Sequence, residues 1–254
     1  MGTVTLDMEG EIAWLTLDRP EALNAFDQKM IDAMLARLNE LVTHGTARAV
    51  ILTGKGRSFS TGVDLRALGD RDSTEQWFRS WAKVLATLQQ LDLPLVIAAC
   101  GDCIGSGLQL LLTGDYRIAG DDLRAGISSI KYGLVPGAIA YQLEATVGAM
   151  AARRLCLFDE KIDAPEALRI GLVDRVAPAS RVAQIARAAA DRVAKFPREA
   201  VRETKRLLAK ASAIDLARFE RNHLEAQQRP ATPRVIVQPK PLPSVQPPAM
   251  PNRR

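Results

Sequence analysis

The sequence predicts an α/β protein with a C-terminal helical region and a Pro-rich tail, and three observations carry that prediction. Apolar strand-like runs alternate with amphipathic helical stretches from the N-terminus to Ala119, the pattern of a sheet covered by helices. From Ala149 onward the pattern is helical. From Arg229 the composition changes abruptly: Pro230, Pro233, Pro239, Pro241, Pro243, Pro247, Pro248 and Pro251 leave no room for a helix. The expected organisation is a core over 1–175, a helical region over 176–228 and an extended tail over 229–254. A chain of 254 residues can bury a sizeable core in one domain with an appendage.

The elements follow in order. Val4–Met8 and Ile12–Asp18 alternate apolar and polar residues around Glu9-Gly10-Glu11, which predicts a β-hairpin. Asp27–Leu41 carries Met30, Ile31, Met34, Leu35, Leu38 and Leu41 along one helical stripe. Ala49–Thr53 reads as a buried strand. Ser73–Leu91 is a second amphipathic helix with Trp77, Trp81, Leu85 and Leu88 on one face, the two tryptophans reading as core or as pocket lining. Leu95–Ala99 is a strand, the Gly105–Leu112 region a helix, and Tyr116–Ala119 another strand. Further on, Ala164–Ile170 is a helix ended by Gly171, and Ser180–Lys195 and Arg198–Gln228 are long helical stretches of the kind that pack between subunits.

Composition narrows the function classes. A hydrophobic fraction of 47% with 25% charged residues is ordinary for a soluble globular chain. The net charge of +5 is scattered, and with 5% aromatics there is no basic stripe for nucleic acid. That diffuse positive balance suits a small anionic substrate. Cys100, Cys103 and Cys156 are odd in number. Cys100-x-x-Cys103 has no second pair, and His44 and His223 are remote in sequence, so no metal site is expected. After an apolar strand the cysteines read as small buried hydrophobes. Free thiols fit a reducing, cytoplasmic setting. With no secretory-type N-terminus and no apolar run of about 18 residues, neither export nor a membrane span is expected.

Two glycine-containing turns carry the chemistry. Strand Leu95–Ala99 leads into Gly105-Ser106-Gly107 and an apolar helix, and strand Ala49–Thr53 leads into Thr61-Gly62-Val63. Such strand-to-turn geometry aims backbone N–H groups into open space, where they hold developing negative charge. No nucleophile accompanies them. Gly54-Lys55-Gly56-Arg57-Ser58 lacks the phosphate-loop spacing, and Gly105-Ser106-Gly107 lacks the third glycine of a dinucleotide fingerprint. Ile104 stands where a nucleophile elbow would need glycine. The pair of turns therefore reads as an oxyanion site for a bound carbonyl.

At these residues the chain resembles the crotonase (enoyl-CoA hydratase/isomerase) family. The matching pieces are Leu17-Asp18-Arg19-Pro20 with Leu23-Asn24-Ala25, Ala49 through Gly54, and Phe59 through Leu65. Gly105–Gln109 with Asp115–Ala119, Gly133–Gly137, and Ala164-x-x-Ala167-x-x-x-Gly171-Leu172-Val173 complete the set. Together they span about residues 3–228 in family order.

The resemblance implies a crotonase-like ββα spiral that binds an acyl-CoA thioester, needs no further cofactor and assembles as a homotrimer or a dimer of trimers. It implies that the N–H groups of Val63 and Ser106 polarise the thioester carbonyl and stabilise its enolate. It also implies that CoA lies along Leu23, Ala25, Thr61, Asp64, Leu65 and Arg66, with Tyr132 and Lys131 at the border. Arg66 reads equally as a phosphate contact or a solvated surface residue, and Asp64 more naturally as a turn cap than a catalyst. Ser106 stands where the family usually has glycine. The family's two hydratase glutamates map onto Gln109 and Ser129, and an aspartate of its isomerases and dehalogenases onto Gly137. All three are neutral here. Three readings follow: an enolate-stabilising enzyme without the usual glutamates, a silent acyl-CoA binder or scaffold, and a decarboxylase or isomerase with relocated acid/base groups.

Overall fold

The computed structural model describes residues 2–69 and 71–208. The predicted hairpin is present as β1 (Val4–Glu9) and β2 (Ile12–Leu17), antiparallel around Gly10. Next comes α1 (Gln28–His44), opened by Asp27, whose carboxylate accepts the Met30 N–H at 2.8 Å. Then follow β3 (Ala49–Gly54), β4 (Ser58–Ser60) and α2 (Arg71–Gln89). The next group is β5 (Leu95–Ala99), β6 (Asp102–Ile104) and α3 (Ser106–Leu111). After it come β7 (Tyr116–Gly120), β8 (Arg124–Gly126) and α4 (Ala138–Leu157). The remainder is β9 (Lys161–Asp163), α5 (Ala164–Arg169), β10 (Arg175–Ala177) and α6 (Val182–Ala194).

These elements form a spiral. One sheet has the order β1-β2-β3-β5-β7-β10 and the other β4-β6-β8-β9. Each long strand is followed by a short strand and then a helix: β3, β4, α2; β5, β6, α3; β7, β8, α4. Every such ββα turn adds one parallel strand to each sheet. The crotonase-like spiral is thus the observed architecture.

The apolar runs of the long strands follow from burial on both faces. In β3, Val50 and Leu52 join the main core with Leu15, Ile97, Phe59 and Leu108. Ala49 and Ile51 point the other way, onto Val182, Ala186 and Ala190 of α6. Beyond residue 176 the described part of the helical region therefore packs on the sheet itself, and β10 straddles that boundary. Helix continues over 198–208; the rest of the Arg198–Gln228 stretch and the Pro-rich tail lie outside the described residues.

Two expectations need correction. Helix in the second half begins at Ala138 rather than Ala149, and α4 breaks at Gly148, where φ is 78° and ψ is 161°. Its start offers no side-chain cap, since Gly137 precedes it. Neither glycine turn leaves a long strand directly: β4 intervenes before Thr61 and β6 before Gly105. The cysteines are free, as expected. Burial pushes the Cys100 and Cys156 thiols up to about 11 and raises the fully enclosed Cys103 further. No helix among the described residues is long and apolar enough to cross a membrane.

Candidate active site

Strands β4, β6 and β8 lie side by side and parallel, so their carboxyl ends at Ser60, Ile104 and Gly126 emerge at one edge. Val63, Ser106 and Ser129 each follow within three residues of such an end. The first two turns are pressed together. Gly62 has φ of 89°, and a Cβ there would lie 2.7 Å from the Ile104 carbonyl oxygen and 2.9 Å from the Ser106 nitrogen. A Cβ on Gly107 would lie 2.3 Å from the Ser60 carbonyl oxygen. Only glycine permits this approach.

Local pairing then frees the amides. Val63 forms an isolated parallel bridge with Phe26. Its bonds are Phe26 N–H to Gly62 O at 2.7 Å and Asp64 N–H to Phe26 O at 2.9 Å, so the N–H of Val63 itself points away. Ser106 opens α3 after Gly105, whose own N–H donates to Gly126 O at 2.9 Å. Among the described residues, neither the Val63 nor the Ser106 N–H has a hydrogen-bond acceptor. Two free main-chain donors on adjoining turns can hold negative charge on an oxygen, and a donor of this kind is typically worth about 3 kcal/mol to a developing oxyanion.

The segment Leu23–Ala25 is stitched to the first turn. Thr61 N–H donates to Leu23 O at 3.1 Å, and the Ser60 hydroxyl donates to Asn24 O at 2.8 Å while accepting the Gly62 N–H at 3.1 Å. The organiser is Asn24, fully buried with φ of 54°. Its Oδ1 accepts the Arg19 N–H at 2.9 Å, and its Nδ2 donates to the carbonyls of Lys55 at 3.0 Å and Ser58 at 2.8 Å. The sequence motif contains Asn24 without disclosing this role. Asparagine's tolerance of left-handed backbone was the available signal.

Asp64 is engaged by the chain itself. Arg66 reaches it through Nε and Nη2, both at 2.9 Å, and Arg19 through Nη2 at 3.1 Å. It also caps the Arg66 N–H at 3.2 Å. The Arg66 guanidinium, with help from Arg19 and against burial, holds its carboxyl at about 2. The Arg66 side chain is 79% exposed, and Leu65 beside it is exposed too.

The remaining predicted residues sit on α3 and on the turn after β8. Gln109 is buried, three residues after Ser106, and its Oε1 accepts the Trp81 indole N–H at 2.8 Å. Ser129 starts a 3-10 turn, Ser129–Tyr132, and is half-buried; Tyr132 at its far end is exposed. Lys131 pairs with Asp159, which adopts φ of 51°. Burial opposes charge on Asp159, but Ser128 and Lys131 outweigh it and hold the carboxyl below its usual range. No group of three or more His, Cys, Asp or Glu side chains among the described residues is placed to hold a metal ion.

A spiral ββα chain with two such turns falls in a recognisable class, and comparison with known proteins specifies it. Residues 7–233 match the family described as enoyl-CoA hydratase/isomerase. A probable enoyl-CoA hydratase of Mycobacterium bovis is 31% identical over 220 residues, covering 85% of this chain and 84% of that protein. A short-chain-enoyl-CoA hydratase of Clostridium acetobutylicum is 31% identical with the same coverage. Among solved structures, an enoyl-CoA hydratase/isomerase from Xanthobacter autotrophicus superposes with a TM-score of 0.82 at 26% identity, over 89% of this chain and 86% of that one. The chain belongs to the enoyl-CoA hydratase/isomerase, or crotonase, family.

Proposed function

We propose that this protein binds acyl-CoA thioesters and polarises the thioester carbonyl through the Val63 and Ser106 amides, stabilising an enolate, without two-carboxylate water addition. Family membership supports the ligand, and the pair of unpartnered amides on adjoining turns carries the reading. Gln109 and Ser129 are neutral at the positions where the resemblance places the hydratase glutamates. Thr61, Leu23 and Ala25 would form the wall along CoA, with Arg66 at its exposed end. Asp64 and Lys131 are tied into ion pairs. That favours a binder, or a reaction needing no side-chain base, over relocated general-base chemistry. A trimeric assembly and a cytoplasmic setting go with this reading.

General acid–base groups contribute about 10²- to 10⁴-fold each. Crotonyl-CoA should therefore bind in calorimetry but be hydrated at least about 100-fold more slowly than by a two-glutamate relative. Gln109→Glu combined with Ser129→Glu should gain hydration. Turnover by the unmodified protein at a family rate would overturn the proposal.

A further inference from the structure

Ser60 is fully buried, and its hydroxyl is engaged twice. The Gly62 N–H can only donate and the Asn24 carbonyl can only accept. The Ser60 oxygen therefore takes the first bond, and its single proton makes the second. At full burial, solvent cannot stand in for either partner.

What this hydroxyl clamps is the freest residue of the turn. Gly62 has no Cβ to restrict its two dihedrals, and it sits at φ of 89°. Two bonds hold it, one on each side of its Cα. The Ser60 oxygen holds the peptide plane before Gly62 at 3.1 Å, and the Phe26 N–H holds the plane after it, through the Gly62 carbonyl, at 2.7 Å. That second plane also carries the Val63 N–H, which must point opposite to the carbonyl because the peptide is planar and trans. The direction of the Val63 donor is thus set by these two bonds, of which only the Ser60 one comes from a side chain. Ser60 bears on the other turn as well: a Cβ on Gly107, next to Ser106, would lie 2.9 Å from the Ser60 Cβ. One buried residue abuts both turns.

We infer that Ser60 is a positioning residue whose hydroxyl fixes the angle of the Val63 N–H relative to the Ser106 N–H, so that both donors meet one carbonyl oxygen. Fully buried, it acts through Gly62 and not by contact with a ligand. This rests on the reading that a thioester carbonyl lies on the Val63 and Ser106 amides. A hydrogen bond weakens steeply as its angle departs from linear. Releasing Gly62 therefore costs the Val63 contribution while leaving the Ser106 donor in place.

The experiment is infrared difference spectroscopy of butyryl-CoA, isotope-labelled at the thioester carbonyl and fully bound to the full chain or to two variants. Calorimetry and thermal melts accompany it. Ser60→Ala removes the hydroxyl, and Ser60→Cys keeps a weak acceptor and a weak donor in its place. The unmodified protein should lower the carbonyl stretching frequency relative to free ligand. With one of two donors out of line, Ser60→Ala should retain about half of that lowering, and Ser60→Cys should fall between the two. A serine with a merely structural role would change melting temperature and affinity while leaving the frequency of fully bound ligand unmoved. That result overturns the inference and leaves the proposed function standing. If Ser60→Ala does not fold, Ser60→Cys decides alone, and an unmoved frequency again overturns the inference. Butyryl-CoA that fails to bind the unmodified protein, or binds it with no lowering, overturns the proposed function and this inference together.

Discussion

Replacing Asp64 with asparagine removes the charge on which Arg19 and Arg66 converge at the edge of the first turn. The folded carboxyl titrates at about 2 against an ordinary 3.8. At about 1.4 kcal/mol per unit, that sets a ceiling of about 2.5 kcal/mol on the stabilisation the charge provides. The leading cause is Arg66, but its side chain is 79% exposed and water screens it. A loss of about 1–1.5 kcal/mol at neutral pH is the expected magnitude for Asp64→Asn. The sign follows from the depressed pKa. The contribution is complete above the unfolded value near 3.8 and disappears as pH falls toward about 2. Urea denaturation of both proteins at pH 7, 4, 3 and 2 measures it, and the gap between them should close between pH 4 and pH 2. Arg66→Ala should lose less than Arg19→Ala, because the Arg19 side chain is only 15% exposed. Equal stabilities at pH 7, or a gap constant across the acid window, would contradict this account of the Asp64 charge.

Two further outcomes follow from the same turns. Gly62→Ala places a Cβ 2.7 Å from the Ile104 oxygen at a φ of 89°; we expect a loss of about 3 kcal/mol or more in thermal melts and a collapse of acyl-CoA affinity. Affinity retained by a folded variant would detach the turn pair from the binding site. Asn24→Ala deletes three hydrogen bonds from a fully buried side chain to the main chain, for which chemical denaturation should register about 3 kcal/mol; a change below about 1 kcal/mol would count against Asn24 as the organiser.

What the sequence made legible depended on how many residues spoke at once. The hairpin, β3, β5 and β7 were readable because each strand is five or six residues long, enough for alternation or an apolar run to register. The strands β4, β6, β8 and β9 have three residues each, too few for any periodicity, and pairing with partners far along the chain defines them. Ala138–Val147 escapes a sequence reading because it begins at an uncapped glycine and ends at another. In the site, the Thr61-Gly62-Val63 and Gly105-Ser106-Gly107 turns announce themselves by glycine. The Trp81–Gln109 bond does not, since it joins positions 28 residues apart and depends on how α2 lies across α3. The Lys131–Asp159 pair is hidden for the same reason.

The amides of Val63 and Ser106 belong to the main chain, and no point substitution except one to proline deletes them. Their placement is guarded by absences: the missing Cβ atoms of Gly62 and Gly107 let the two turns touch. Under the proposed function, the grip on a thioester would be inherited from the path of the backbone, whereas the fate of the gripped molecule would be written by side chains such as Gln109 and Ser129. On that reading grip and fate would be separately replaceable, and a change of reaction at positions 109 and 129 need not disturb how the substrate is held.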